Sequence, residues 1–181
     1  MRKKVLVLAL VVFLVLGMAS MVAAKGHGGG GIPCDLGDFA MINQFGHQNE
    51  AMVVQTGQYK VDYICGTWYK AFGGNVAFVN QYGTKHDATV TQIGGENFAS
   101  VLSTGYRDEV NINQNGQRLT AWVYQSGHRN SADVVQRGVE NTAKIMQAGY
   151  RNNASINQTG NFDYGKIMQL GSRNNATIIQ N

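Results

Sequence analysis

The residues of this chain with the most evident capacity for chemistry are carboxamides that recur at a fixed spacing. Between Phe78 and Asn181 a glutamine returns every eleven residues, with Ser103 as the one substitute. The glutamines are Gln81, Gln92, Gln114, Gln125, Gln136, Gln147, Gln158, Gln169 and Gln180. An amide donates and accepts hydrogen bonds at once, so amides at equal spacing can bond to one another in a row. The pattern predicts structural hydrogen bonding rather than bond breaking.

Asparagines recur in the same phase, five positions after the glutamine. The full pattern is x-(Val/Ile)-x-Gln-x-Gly-x-x-Asn-x-Ala, and the asparagines expected to join the ladder are Asn97, Asn130, Asn141, Asn152 and Asn174. A buried amide without a partner costs roughly 1–3 kcal/mol. Stacked in register, each amide would donate to one neighbour and accept from the other, as in cross-β stacks.

A second set of side chains recurs every 22 residues and is cationic. Its members are Lys85, Arg107, Arg129, Arg151 and Arg173, with Asp87, Asp108 and Glu109 nearby. One interpretation is an anion-binding edge for acidic polysaccharide, DNA or lipid headgroups. The other is a set of splayed, solvated side chains that keep this edge soluble.

The remaining reactive side chains do not form a pattern typical of catalysis. His47, His86 and His128 lack the spacing of a closed metal site, and the acids are scattered through variable positions. We therefore predict no metal, no cofactor, no small-molecule substrate and no enzymatic activity. Cys34 and Cys65 are the only cysteines. They could form one disulfide worth roughly 3–4 kcal/mol, remain free thiols, or pair between chains.

The elements that must position the amides are short strands. In each unit the alanine, the aliphatic residue and the glutamine lie at i, i+2 and i+4, so they share one face of an extended segment. The glycine and the asparagine bracket the connection, since glycine takes a positive φ without steric cost and asparagine is the next best tolerated there. Two eleven-residue units explain the 22-residue period of the cations. The prediction is an all-β solenoid of two facing parallel sheets with 22-residue rungs.

The chain divides by composition into five segments. Residues 1–24 have the basic head, apolar run and small-residue cleavage site of a signal peptide, which predicts an exported chain beginning near Lys25. The exported part has 15 − 3 = 12 basic residues against 11 acidic ones. A Gly-rich linker over 25–38 precedes two repeat units over 39–57. An aromatic-rich interruption over 58–77 is expected to be irregular, and 78–181 holds ten units in five rungs.

The last strand predicts how the chain associates. Ala176, Thr177, Ile178, Ile179 and Gln180 complete a strand that no proline or charge cluster follows. An open row of backbone N–H and C=O groups is a template for another chain. A head-to-tail contact of this kind does not close on itself, so this polymerisation edge is expected to generate a filament.

The repeat resembles that of a known family. The segment from Gln125 to Gln136, with the sequence QSGHRNSADVVQ, is similar to the repeats of curlin, the subunit of bacterial curli fibres. The resemblance covers 78–181 throughout and 42–57 in part. It implies a secreted subunit that assembles with itself into functional amyloid at the cell surface, in a biofilm matrix that serves adhesion. It also implies an outer-membrane secretion apparatus and a homologous nucleating subunit as partners.

A different class of function remains open from the residues alone. A β-solenoid can also act as a monomeric secreted binding module for a glycan, an anionic polymer or ice. Ice binding would require the same small hydroxyl residue at one outward position of every rung. Position one of the polar sheet instead reads Thr89, Asn111, Asp133, Ser155 and Thr177.

Overall fold

The computed structural model describes residues 38–57, 60–64, 67–71 and 74–181, and every element in them is a β-strand. The predicted signal peptide, most of the predicted linker, and both cysteines of the possible disulfide, Cys34 and Cys65, lie outside the described residues. The strands of the first half are β1 Phe39–His47, β2 Glu50–Gly57, β3 Lys60–Ile64, β4 Thr67–Ala71, β5 Val76–Thr84, β6 Asp87–Gly95 and β7 Phe98–Tyr106. Those of the second half are β8 Glu109–Gln117, β9 Thr120–His128, β10 Ser131–Val139, β11 Thr142–Tyr150, β12 Asn153–Gln158, β13 Tyr164–Ser172 and β14 Asn175–Gln180. The described ranges contain no helix long and apolar enough to cross a bilayer.

All strands except β3 and β4 form two parallel sheets that face each other. The first sheet has the order β1-β5-β7-β9-β11-β13, and the second has the order β2-β6-β8-β10-β12-β14. Each consecutive pair, such as β5 with β6, makes one rung of two strands, and the rungs are numbered 1 to 6 from the N-terminal side. The predicted β-solenoid with 22-residue rungs is confirmed.

The alternation of side chains explains the core. Positions eleven and two of each unit point between the sheets, where Ala99, Val101, Ile112 and Ile145 are fully buried. Register keeps like against like, since Val79 pairs with Val101 and Ile145 with Ile167. Aliphatic stacks of this kind make a dry interior whose width is set by the spacing of packed sheets, about 10 Å.

The connections between strands need two positive-φ residues, and the second differs from the expectation. Glycine at position six has a positive φ in most units, as predicted; at Gly127 it is 124°. A Cβ on Gly127 would lie 2.0 Å from the carbonyl oxygen of Gly149 in the next rung. The left-handed residue is not the asparagine at position nine but its predecessor at position eight, for example Arg129 with φ 57°. The asparagine is not free to take that role because its side chain turns inward.

The early units and the interruption also fold differently from the expectation of an irregular break. Strands β1 and β2 form a complete rung that stacks in register on rung 2, with Gln44 opposite Gln81 and Gln55 opposite Gln92. Equivalent residues are 37 positions apart there, against 22 elsewhere. The extra residues lie between Gly57, at the end of β2, and Val76, at the start of β5, so they are all inserted in one connection between strands. Within them β3 and β4 pair antiparallel, so 60–64 and 67–71 form a hairpin rather than an irregular coil.

Candidate functional site

The glutamines form two hydrogen-bonded ladders, one inside each sheet. In the second sheet the ladder runs through all six rungs. Its Nε2 to Oε1 distances are 2.7 Å from Gln55 to Gln92, then 2.8, 2.9 and 2.8 Å, and 2.9 Å from Gln158 to Gln180. In the first sheet Gln125, Gln147 and Gln169 are linked at 2.8 and 2.9 Å. Every donor lies in the earlier rung and every acceptor in the later one, so the ladders have a direction.

The second N–H of each glutamine joins the two sheets. Gln114 donates to the carbonyl oxygen of Phe98 at 3.0 Å, and Gln125 donates to that of Glu109 at 2.9 Å. All inner glutamines are fully buried. Each amide is therefore satisfied within the solenoid, which removes the penalty that a buried polar group would otherwise carry.

The asparagines stand in two columns rather than in one ladder. We call the edge that carries the predicted cations the arginine edge; there Asn130, Asn152 and Asn174 stack in consecutive rungs. Asn152 Nδ2 donates to Asn130 Oδ1 at 3.2 Å, and Asn174 Nδ2 donates to Asn152 Oδ1 at 3.0 Å. The same oxygens accept the backbone N–H of the next residue in the column, at 3.2 and 3.1 Å. The column thus ties side chains and backbone of successive rungs together.

On the opposite edge the predicted asparagines do not meet. Asn97 Oδ1 accepts the backbone N–H of Leu119 at 3.0 Å, and Leu119 is fully buried between Asn97 and Asn141. Asn141 Oδ1 accepts the N–H of Asp163 at 2.9 Å. Hydrogen bonds from backbone N–H groups to asparagine side chains therefore connect the rungs at this edge, and the Leu119 side chain separates Asn97 from Asn141.

Sequence reasoning missed several members of these columns. Gln44 and Gln55 extend both glutamine ladders into rung 1, at 2.6 and 2.7 Å from their partners, and their place in the early repeat units was the available signal. His86 and Asp108 occupy the asparagine position at the arginine edge and are each 1% exposed. Asp108 was placed with the acids near the cation row, yet it is not part of the solvent-exposed edge, because position nine points into the solenoid.

The cations are brought into one exposed row at the arginine edge. The Arg107 guanidinium lies 5.0 Å from the centroid of the Tyr106 ring, and that of Arg151 lies 4.9 Å from the Tyr150 ring. Arg129 approaches the hydroxyl oxygen of Tyr150 at 3.4 Å. Between described residues, none of the five cations makes an ion pair. Neighbouring aromatic rings hold the guanidinium groups in place while their charge stays in solvent.

Comparison with known proteins identifies the repeat. The family model described as the curlin associated repeat matches residues 72–94 and 105–138. Two stretches of the chain therefore consist of curlin associated repeats. The matched residues contain strands from rungs 2, 3 and 4, whose glutamines, glycines and asparagines make the contacts described above. No curated protein matches the chain.

Among the described residues, the two ends of the solenoid are open sheet edges. There β13 and β14 pair on one side only, with β11 and β12, and β1 and β2 pair only with β5 and β6. In β14 the predicted polymerisation edge alternates: Ala176, Ile178 and Gln180 face the inside and are half-buried, whereas Ile179 is 66% exposed. No group of three or more potential metal ligands occurs in the described part of the chain.

Proposed function

We propose that the chain is a secreted structural subunit that assembles head-to-tail into curli-like amyloid fibres. The proposal rests on the match to the curlin associated repeat and on the geometry of the two ends. In it, the solenoid of one copy continues into the next without a change of pattern. The role is structural rather than catalytic.

The observation that carries the proposal is the direction of the glutamine ladders. Inner glutamines other than Gln81, which precedes Ser103, donate Nε2 both to a backbone carbonyl and to the next glutamine. Gln169 donates to the carbonyl oxygen of Asn153 at 2.9 Å and Gln180 to that of Tyr164 at 3.2 Å, and among the described residues neither has a glutamine to donate to. At the other end, Gln44 and Gln55 are donors to rung 2, and within the described residues their Oε1 atoms accept from no other glutamine. One end therefore offers donors and the other offers acceptors.

Stacking rung 1 of a second copy on rung 6 would match these groups in the existing register. Gln44 would lie over Gln169, Gln55 over Gln180, and the alternation of inward residues would continue. The contact joins two different surfaces, so it repeats without closing. Each junction would satisfy two open strand edges at about 4.8 Å spacing, the arrangement of a cross-β fibre.

The cellular setting follows from the family and stays part of the proposal. The fibre would form outside the cell after passage through an outer-membrane secretion apparatus, with a homologous subunit as nucleator. It would lie at the cell surface in the biofilm matrix and serve adhesion.

The direct test is to incubate the purified mature chain and follow thioflavin fluorescence, with electron microscopy at the plateau. We expect a lag, a rise and unbranched fibres, and we expect removal of 176–181 to slow elongation. A chain that stays monomeric under all conditions tested would overturn the proposal.

A second candidate function is favoured by the cation row at the arginine edge. In a fibre, Lys85, Arg107, Arg129, Arg151 and Arg173 would repeat along one side and could bind an acidic polysaccharide or DNA. Replacing the five with glutamine should abolish salt-sensitive binding to heparin. The matched control is Arg118→Gln, since Arg118 lies on the opposite edge and pairs with Glu140. Equal binding by both variants would exclude the row as the binding surface.

A further inference from the structure

The asparagine column at the arginine edge contains one pair of titratable residues in its interior. His86 and Asp108 follow each other in rungs 2 and 3, both side chains are fully buried, and His86 Nδ1 lies 3.7 Å from Asp108 Oδ2. Buried charges are rare in proteins unless a partner compensates them. The two residues differ in how well they replace the asparagine.

His86 reproduces the hydrogen bonds of an asparagine. Its Nδ1 accepts the backbone N–H of Asp108 at 3.2 Å, as an asparagine Oδ1 does in this column. Because Nδ1 is the acceptor, the proton of the neutral ring lies on Nε2, which is 3.2 Å from the carbonyl oxygen of Tyr82. Asn130 makes the equivalent bond to the residue four positions before it, Ser126, at 3.3 Å. The neutral imidazole is thus accommodated.

Asp108 reproduces only half of the asparagine pattern. Its Oδ1 accepts both the backbone N–H and the Nδ2 of Asn130, at 2.9 and 3.1 Å. Its Oδ2 is buried and has no hydrogen-bond partner. In Asn130 the corresponding atom is Nδ2, which donates to the carbonyl oxygens of Ser126 and Gly149. By the equivalence of the rungs, Oδ2 of Asp108 is a carboxylate oxygen in a place where the column otherwise holds a donor.

We propose that protonation of Asp108 controls rung 3. The rung completes the hydrogen bonds of the asparagine column, and supports stacking of further rungs, only when Oδ2 carries a proton. The protonated carboxyl has the O–H donor that the column requires, and this O–H can donate to the carbonyl oxygens that an asparagine would bind. The ionised carboxyl leaves the rung under-bonded. As a control of fibre growth, this protonation of Asp108 rests on the proposed function and would regulate it.

The surroundings of Asp108 determine the direction of the effect. Titratable and charged groups next to it on the arginine edge are Lys85, His86 and Asp87 from the previous rung, Arg107 and Glu109 from its own, and His128 and Arg129 from the next. Burial raises the pKa of Asp108, and this outweighs the hydrogen bonds from Asn130 and the attraction that His86 and His128 would exert if protonated, which lower it. A raised pKa in the folded chain means that folding takes up a proton. The stabilisation is complete below the ordinary pKa of 3.8 and is lost as the pH rises through the folded value.

The experiment compares the full chain with Asp108→Asn and Glu109→Gln over a range from acid to neutral pH. Urea unfolding gives the folded-to-unfolded ratio, and seeded thioflavin assays give the elongation rate. While Asp108 binds its proton, the ratio for the unsubstituted chain should rise by up to about tenfold per pH unit on acidification. Asp108→Asn should be more stable and elongate faster at neutral pH, and it should lose this part of the pH dependence. Glu109→Gln changes an exposed acid beside the column and should keep it.

Three outcomes would overturn the proposal. Asp108→Asn could keep the full pH dependence of the unsubstituted chain, or it could be less stable at neutral pH. It could also change the urea profile without changing the pH dependence of elongation, in which case the proton does not control growth. If no variant forms fibres under any condition, the proposed function fails, yet the urea profiles still decide the role of Asp108. Asp133, whose pKa is also raised by burial, accounts for a residual slope shared by all variants.

Discussion

Replacing a single inner glutamine by leucine should expose the contribution of the amide ladders. Gln136 is fully buried at the centre of the longer ladder. It accepts from Gln114 Nε2 at 2.9 Å and donates to Gln158 Oε1 at 2.8 Å and to the Thr120 carbonyl oxygen at 3.1 Å. Leucine is similar in size, so Gln136→Leu removes these bonds without opening a large cavity.

The magnitude follows from the groups left behind. One N–H of Gln114 and the Oε1 of Gln158 would remain buried without partners, at about 1–3 kcal/mol each. Burying the leucine side chain returns about 1.5–3 kcal/mol. The net loss should be about 2 kcal/mol, which lowers the urea midpoint by roughly 1 M for a denaturant slope of about 2 kcal/mol/M.

Urea unfolding of the soluble chain, followed by far-ultraviolet circular dichroism, measures this loss. The matched control is Gln180→Leu in the same ladder. Gln180 lies in the open terminal rung, so its replacement deprives one Gln158 N–H and the Tyr164 carbonyl oxygen of a partner and leaves no glutamine Oε1 unpaired. The control should therefore shift the midpoint far less. If Gln136→Leu is as stable as the unsubstituted chain, the ladders do not stabilise the solenoid and the aliphatic core alone carries it.

Further predictions concern the connections between strands. Arg129 has a left-handed φ of 57°, which costs most L-residues about 1–2 kcal/mol and asparagine less, so Arg129→Asn should raise the melting temperature by a few degrees. A lower melting temperature would show that its contacts with Tyr150 outweigh the strain. Gly127→Ala should prevent folding, because its Cβ would lie 2.0 Å from the Gly149 oxygen. Gly171→Ala, whose nearest neighbour would be Asn174 Nδ2 at 3.8 Å, should retain the circular dichroism spectrum despite a strained φ of 104°. Equal behaviour of the two alanine variants would contradict the stacking geometry.

The strands and the rung length could be predicted because the repeat is strict. Alanine, Val or Ile, and glutamine alternate in phase with a strand, and the 22-residue period of Arg107 and its equivalents indicates two strands per rung. The fold class therefore depends on residues that act locally and in every unit. The same regularity explains why the glutamine ladder was found from spacing alone.

The asparagine position was assigned the wrong role because spacing does not reveal which residue of the connection between strands takes the left-handed conformation. Either residue eight or residue nine could take the left-handed conformation, and propensity favours asparagine over arginine. The interior decides instead: the backbone N–H groups of the next rung need an acceptor, and only the residue at position nine reaches them. For the same reason His86, Asp108 and Leu119 could be recognised as column members only once that position was placed inside.

The interruption was also beyond a periodic argument. Among the described strands, the antiparallel pairing of β3 with β4 has no counterpart, and β5 and β6 lie in register on β1 and β2 because the insertion begins and ends at one connection between strands. Sequence phase is lost across such an insertion, whereas spatial register is not. The identity of the first rung therefore follows from its contacts with rung 2.

The central claim is that rung 6 of one copy stacks on rung 1 of the next, and one pair of variants tests it most directly. Ile178 faces the inside of the open end, and its neighbour Ile179 faces outward and is 66% exposed. In a fibre, a lysine at position 178 would be buried in the dry interior, whereas a lysine at position 179 would remain in solvent. Seeded elongation should fall at least about tenfold for Ile178→Lys, a loss of about 1.4 kcal/mol or more at the junction, and change little for Ile179→Lys. Equal elongation of the two variants would contradict head-to-tail stacking of the rungs.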